Sequence, residues 1–199
     1  MSATLKVSVA GICASDLHYM VGDLPMPMPV VLGHEGSGIV ESIGPGVIDF
    51  KPGDRVICAF ISGCNNCTYC LSGNINLCTT SLKLGTKQYD GTLRLNNNKE
   101  QIHQMQKLGL FSEYLICPQQ SLYKISDDVP LDIAALIGCC VSTGVGAVIN
   151  QEISKPGLDI VIFGLGGVGL SAIMGAKILN SNKIIAVDIP YAHMSPSKW

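Results

Sequence analysis

Four cysteines, Cys64, Cys67, Cys70 and Cys78, fall in the spacing C-x2-C-x2-C-x7-C. Four thiolates this close in sequence can surround one zinc tetrahedrally, each about 2.3 Å from the metal. The residues between them, among them Asn65, Asn66, Thr68 and Tyr69, carry little apolar mass, so a metal would take the place of a core. Two disulfides or a set of free thiols are the alternatives. An iron–sulfur cluster is a further one, although the Cys-Pro that closes the bacterial ferredoxin run is missing. The first residues, Met-Ser-Ala-Thr-Leu-Lys, lack the basic and apolar regions of a signal peptide. The expected setting is therefore the reducing cytoplasm, where clustered cysteines read as metal ligands.

A second group is spread along the chain. Residues 29–38 read Pro-Val-Val-Leu-Gly-His-Glu-Gly-Ser-Gly. They present His34 and Glu35 side by side, and Gly36 and Gly38 are expected to let the backbone turn tightly beneath them. A single histidine beside a strand is more often a hydrogen-bonded rim residue than a ligand. Cys13 upstream and Cys139 downstream change the balance. One His and two Cys leave a fourth position open on tetrahedral zinc, which is the catalytic arrangement. Cys140 is an equally good thiolate by chemistry alone.

The third feature is a glycine-rich loop. Residues 164–169 read Gly-Leu-Gly-Gly-Val-Gly and match G-x-G-x-x-G. The loop follows an apolar run at 159–163 that reads as a buried strand, and it opens a helix at 168–179. A second apolar strand at 184–187 ends in Asp188. In that context the motif binds dinucleotides. Gly164 would make the tight turn and Gly166 would let the backbone approach the pyrophosphate. Gly167 and Val168 would sit at the positive helix start, and Gly169 would let the helix pack on the sheet. Asp188 would accept from the adenosine ribose hydroxyls, and its charge favours NAD over NADP. A strand–helix turn with no ligand is the alternative.

The elements that must position these groups follow from periodicity. Residues 5–10 alternate as a strand, and strands are expected at 39–43, 55–60, 111–117 and 122–125, with Gly and Pro turns between them. Many short strands suggest a small β-barrel. Residues 14–20 read as a short helix or turn, 22–29 as loop, and the polar stretch to about Gly109 as loop without period. A helix capped by Asp127 or Asp128 is expected to begin near Leu131 and run to Asn150. The fold class is α/β with a β-rich first part. The chain has 199 residues, 47% of them apolar, and a net charge of −2 with scattered Lys and Arg. That balance argues against nucleic-acid and anionic-membrane partners. The uncharged run at 160–176 is short for a span and is interrupted by glycines.

Together these motifs resemble the zinc-dependent alcohol dehydrogenases of the medium-chain dehydrogenase/reductase family. The signature G-H-E-x2-G-x5-G-x2-V fits Gly33, His34, Glu35, Gly38, Gly44 and Val47. The likeness extends through Gly11-Ile12-Cys13-Ala14-Ser15-Asp16-Leu17-His18, the four-cysteine lobe and Gly138-Cys139-Cys140-Val141-Ser142-Thr143 to Asp188. The resemblance implies a GroES-like catalytic domain over residues 1–145. The first strand–helix–strand unit of a Rossmann-like NAD domain would occupy 146–199. It implies one catalytic zinc on Cys13, His34 and Cys139, a ligand set known for that family. A structural zinc would sit in the lobe. Family spacing to Thr143 selects Cys139 over Cys140.

Glu35 resembles the carboxylate that can approach the metal, and Asp16 the group that fixes the His34 ring. Ser15 and His18 resemble the proton relay. Thr143 resembles a residue beneath the nicotinamide, and Phe60 one that lines the substrate pocket. The implied reaction oxidises a primary or secondary alcohol to an aldehyde or ketone, with hydride passing to NAD. A polyol or glutathione-adduct dehydrogenase and a non-catalytic zinc-binding fragment are the competing readings. Full-length relatives are often homo-oligomers. Ala14 stands where some relatives carry an Arg that touches the pyrophosphate. Relatives have strands before residue 5 and complete the sheet after Asp188, so the expectation is a shortened, inactive member of the family.

Overall fold

A computed structural model describes residues 1–151 and 154–189 of the chain. The last eleven residues, from Ile189, carry no recognisable element in the sequence, and those after Ile189 lie outside the described residues. The chain divides into two compact units, Met1–Cys139 and Cys140 onward. The boundary expected after residue 145 falls inside a helix that belongs wholly to the second unit.

In chain order the first unit holds β1 (Ser2–Ala10), α1 (Ala14–Val21), β2 (Val30–Val31), β3 (Gly36–Ile43), β4 (Arg55–Cys58) and α2 (Thr68–Leu71). There follow α3 (Thr79–Leu84), β5 (Leu95–Asn96), β6 (Gln101–Gln104), β7 (Tyr114–Pro118), β8 (Leu122–Lys124) and α4 (Leu131–Ala135). Five of the strands form an antiparallel sheet in the order β7-β1-β3-β4-β8. Alternation turns Ala3 and Leu5 inward and Lys6 and Ser8 outward along β1. The inward face closes on Val40, Val56, Cys58, Leu108, Leu110, Leu115, Cys117 and Leu122. Cys58 and Cys117 are thus core residues, and burial pushes both thiols up. A smaller sheet of order β2-β6-β5 crosses the stretch expected to be featureless loop. Its strands are two to four residues long, too short for a periodic pattern to register.

Two expectations are corrected here. Gly36 and Gly38 make no turn. They lie in β3, where a Cβ would meet Val9 O at 2.7 Å and Lys6 O at 2.3 Å, so they admit the neighbouring strand β1. The turn belongs to Gly33, whose φ is +92°. The helix expected from Leu131 to Asn150 is also broken. α4 starts after Pro130 without a side-chain cap and passes into a 3-10 turn at Leu136–Gly138. Cys139 then leaves helical geometry, with φ −138° and ψ −76°. The cause is Gly138, where a Cβ would stand 2.0 Å from Cys58 O, so the chain is drawn against β4.

The second unit holds α5 (Cys140–Ile149), β9 (Asp159–Phe163), α6 (Gly167–Ile178) and β10 (Lys183–Val187). β9 and β10 pair in parallel, Asp159 opposite Lys183 and Phe163 opposite Val187. α5 packs on α6 through glycines: a Cβ at Gly144 would meet Val168 O at 2.3 Å, and one at Gly175 would meet Val145 Cα at 3.0 Å. The core here is small, Val148, Ile162, Ala172 and Ala176. The run at 160–176 is a strand, a turn and a helix. Among the described residues no single helix is long and apolar enough to cross a membrane.

Candidate metal centres and dinucleotide loop

Cys13, His34 and Cys139 come from three separate places: the N-cap of α1, the turn into β3 and the break after α4. Their donor atoms all lie within 4.8 Å of one another. Cys139 Sγ is 3.3 Å from His34 Nε2, close to the edge of about 3.5 Å in a tetrahedron of zinc–sulfur and zinc–nitrogen bonds. The donors, two soft sulfurs and one imidazole nitrogen, suit zinc. Cys139, not Cys140, joins the cluster. Cys140 opens α5 and lies against Gly167, whose Cβ would be 3.5 Å from the Cys140 Sγ.

Asp16 organises two of the three donor residues. It is buried, and its Oδ2 accepts from Cys13 N at 2.9 Å while Oδ1 accepts from Gly33 N at 3.0 Å. One carboxylate thereby pins the backbone at Cys13 and next to His34. His34 Nδ1 faces Asp16 Oδ1 at 3.4 Å, a contact without hydrogen-bond alignment. The His34 ring stands edge-on to Phe60, centroids 5.6 Å apart, and Phe60 also packs on the sheet core. Glu35 is buried beside Gly11. A Cβ there would lie 2.3 Å from Glu35 Oε1, so only glycine leaves room for the carboxylate. Ser15 Oγ is 3.7 Å from Cys13 Sγ, next to the cluster. His18 lies one turn further along α1, exposed, with Nδ1 3.0 Å from Asp23 Oδ2.

The segment that delivers Cys139 is tied down by polar contacts. Ser37 Oγ donates to Leu131 O at 2.6 Å, and Arg55 Nη2 donates to Val129 O at 2.6 Å. Gly11, Gly138, Ser37 and Arg55 were not singled out in the sequence for these roles. Gly138 beside Cys139 was the one visible signal, since glycine before a ligand marks a close backbone approach.

The four lobe cysteines also lie with their sulfurs within 4.8 Å of one another. Cys67 Sγ and Cys78 Sγ are 3.9 Å apart, against about 3.8 Å for two sulfurs on one tetrahedral zinc and far beyond a disulfide bond. Backbone N–H groups aim at the sulfurs: Cys64 N and Ser81 N donate to Cys78, and Cys67 N donates to Cys64, each at 3.3 Å. Asn65 takes the left-handed conformation, φ 57°, in the turn between the first two cysteines. The Cys70 amide, above all, draws the Cys67 thiol down to about 6. A hydrogen bond from Thr80 leads the lowering at Cys64, whereas burial pushes Cys70 up to about 11.

In the second unit, Gly164 takes φ +89° as the tight turn between β9 and α6. A Cβ at Gly166 would meet nothing within 4 Å, leaving the backbone open to approach. Gly169 serves the loop itself, since a Cβ there would lie 1.8 Å from Gly164 O. Gly167 and Val168 form the first turn of α6. Asp188 closes β10 and turns inward to the loop: Oδ2 accepts from Leu165 N at 2.6 Å and Oδ1 from Ile189 N at 2.7 Å. Thr143 is exposed in the first turn of α5.

Comparison with known proteins gives consistent results. Residues 2–127 match the alcohol dehydrogenase GroES-like domain. "Alcohol dehydrogenase B" of Mycobacterium tuberculosis (strain CDC 1551 / Oshkosh) is 42% identical over 187 residues, 92% of this chain and 50% of that protein. An alcohol dehydrogenase zinc-binding domain protein from Burkholderia ambifaria superposes with a TM-score of 0.88 at 33% identity, covering 96% of this chain and 52% of its own. Acetophenone reductase from Geotrichum candidum NBRC 4597, solved in complex with NAD, gives 0.74 at 29% identity over 95% of this chain and 50% of its own. The chain spans about half the length of the curated relatives it matches.

Proposed function

The chain belongs to the family of the alcohol dehydrogenase GroES-like domain, and from that premise we propose that it carries the zinc and dinucleotide sites of an NAD-dependent alcohol dehydrogenase. One zinc is catalytic, on Cys13, His34 and Cys139, and one is structural, in the lobe of Cys64, Cys67, Cys70 and Cys78. The observation that carries this reading is the meeting of His34 and Cys139 across 105 residues, with Cys13 at the same point. Packing alone does not call for two thiols and an imidazole there.

Zinc in the first cluster would supply a Lewis acid that acidifies an alcohol hydroxyl, and NAD would take the hydride. The chain's own residues do the rest. Asp16 holds the Cys13 and Gly33 backbone, so that thiolate and imidazole keep their spacing. Ser15 accepts the hydroxyl proton. His18, exposed beside Asp23, would be the group that passes the proton on to water. Glu35, whose carboxylate fits because residue 11 is glycine, would be the further acidic group beside these three residues. The backbone at Gly166, Gly167, Val168 and Gly169 would hold the pyrophosphate, Asp188 would accept from the ribose hydroxyls and Thr143 would contact the nicotinamide. The substrates are small primary or secondary alcohols and the matching aldehydes or ketones. Both clusters need reduced thiols, which fits the cytoplasm.

The test is zinc-dependent NAD reduction with ethanol, benzyl alcohol and sorbitol in turn. Because the chain spans half of its relatives, the assay compares the 199-residue chain with a chimera. The chimera adds the part of the mycobacterial relative that this chain does not match. Activity lost on chelation and in Cys139→Ser supports the reading. Activity that survives Cys139→Ser contradicts it, and a marked preference for sorbitol moves it to the polyol dehydrogenases.

A further inference from the structure

Lys107 is buried, 2% exposed, and among the described residues no carboxylate lies within ion-pair reach of it. A buried cation without a counter-charge is costly. Its backbone is unfavourable as well. Gln106 and Lys107 are successive residues in the left-handed region, with φ of 53° and 65°, and neither is glycine. Two unfavourable features at one residue ask what the ammonium does there.

Its contacts lead to the cysteine lobe. Nζ donates to Gly85 O at 2.7 Å, to Ser81 Oγ at 3.1 Å and to Ser81 O at 3.2 Å. These acceptors belong to α3 and its end, the helix that Cys78 caps. Ser81 is also the residue whose N–H donates to Cys78 Sγ at 3.3 Å. One residue therefore stands between the ammonium and a lobe sulfur. The ammonium also lies over the Tyr89 ring, 5.6 Å from its centroid. Tyr89 Oη in turn donates to Ser62 O at 2.7 Å, two residues before Cys64. Lys107 and Tyr89 thus hold the beginning and the end of the lobe from one side. The Lys107 carbonyl is fixed in its turn by Gln88 Nε2 at 3.0 Å.

We propose that Lys107 is a positioning residue for the lobe metal: its ammonium anchors α3 behind Cys78 and supplies the counter-charge that a tetrathiolate zinc requires. Four thiolates and one zinc ion carry a net charge of about −2. No other buried cation lies against the lobe among the described residues. The proposal rests on the lobe being a zinc site, and the experiment separates the two claims.

The full chain, in a Cys139→Ser background that leaves the lobe as its zinc site, is loaded with zinc and challenged with excess chromophoric chelator. Lys107→Met keeps the length of the side chain and removes the charge. Zinc release is expected to accelerate by about 10–100-fold, the usual scale for partners behind metal ligands. Lys107→Arg should recover part of that loss. With cobalt in the lobe, Lys107→Met should move the thiolate-to-metal charge-transfer band to longer wavelength and leave the tetrahedral ligand-field bands in place. A positive charge nearby lowers the energy of the sulfur electrons, and a change in packing alone would not move that band. Release and spectrum both equal to wild type overturn the proposal. Should Lys107→Met fail to fold, Ser81→Ala removes one acceptor and should give an intermediate acceleration; an unchanged rate there overturns the proposal too. A wild-type lobe that takes up no zinc refutes the metal reading itself, a result distinct from a loaded lobe indifferent to Lys107.

Discussion

Asp16 acts through having two oxygens and being buried. Each oxygen takes one backbone N–H, at Cys13 and at Gly33, so a single side chain sets the distance between the turns that carry Cys13 and His34. Asp16→Asn would place an amide N–H against one of those donors. Zinc affinity of the first cluster is expected to fall by about 10–100-fold, read by chelator competition, with the lobe unaffected. Gly11→Ala is the complementary case. Its Cβ would meet Glu35 Oε1 at 2.3 Å and displace the carboxylate, so that cluster should lose affinity while the sheet stays intact by circular dichroism. Unchanged zinc binding in Gly11→Ala would show that the position of Glu35 is of no consequence. Asp188→Ser should narrow the preference for NADH over NADPH in a fluorescence titration, because the carboxylate is what opposes a 2′-phosphate. It should also loosen the loop, since Asp188 already holds Leu165 N. At this scale the sequence pointed to the cysteines and the histidine that the fold brings together, because Cys and His at fixed spacings have few other uses. It was silent on the roles of Gly11 and Lys107, whose importance comes from what lies across space from them, and hinted at Gly138 only as the neighbour of Cys139.

The elements were legible where a period ran long enough. β1, β9 and α6 were expected within three residues of their observed ends, since alternation or an apolar run of at least five residues marks them. β2 and β5, two residues each, exist only through their pairing with β6. The break at Cys139 was hidden because apolar residues continue at helical spacing through it. The distortion is imposed by the contact of Gly138 with Cys58 O. Gly138→Ala should therefore destabilise the first unit by roughly 1–3 kcal/mol, as overpacking does, and empty the first cluster before the lobe. The two lobe helices, α2 and α3, are four and six residues long, and Cys67 and Cys78 stand at their N-caps.

Lys107 gives this lobe a pH signature in the metal-free protein. Burial lowers its folded-state value from 10.5 to about 8. Between those limits the unfolded chain binds more protons than the folded one, so stability should rise as pH climbs from 8. The burial cost is present in full below pH 8. The difference between wild type and Lys107→Met in urea midpoints isolates this contribution. A difference that stays flat from pH 8 to 10 would contradict the assignment.

On the scale of the molecule, the two units differ in what they bury. Among the described residues, the first encloses twelve in one core cluster, whereas the second has a cluster of four. Phe163 and Ile178 in the second are 79% and 67% exposed. Hydrogen exchange should accordingly be slow at β3 and β4 and fast at β9 and β10. The 199-residue chain should reduce NAD at least about 100-fold more slowly than the chimera, since displacement of reacting groups by an ångström costs that much. The division at Cys139 was expected a few residues later because α5 shares its apolar pattern with α4 and carries no turn signal before Pro156.

The central claim, that the chain holds one zinc on three protein ligands and another on four sulfurs, is tested most directly by zinc X-ray absorption before and after mild chelation. The loaded chain should show an average of about three sulfurs per zinc at about 2.3 Å, rising to four as the more weakly held zinc leaves. Complete loss of zinc in one step, or a sulfur count that fails to rise, would contradict it.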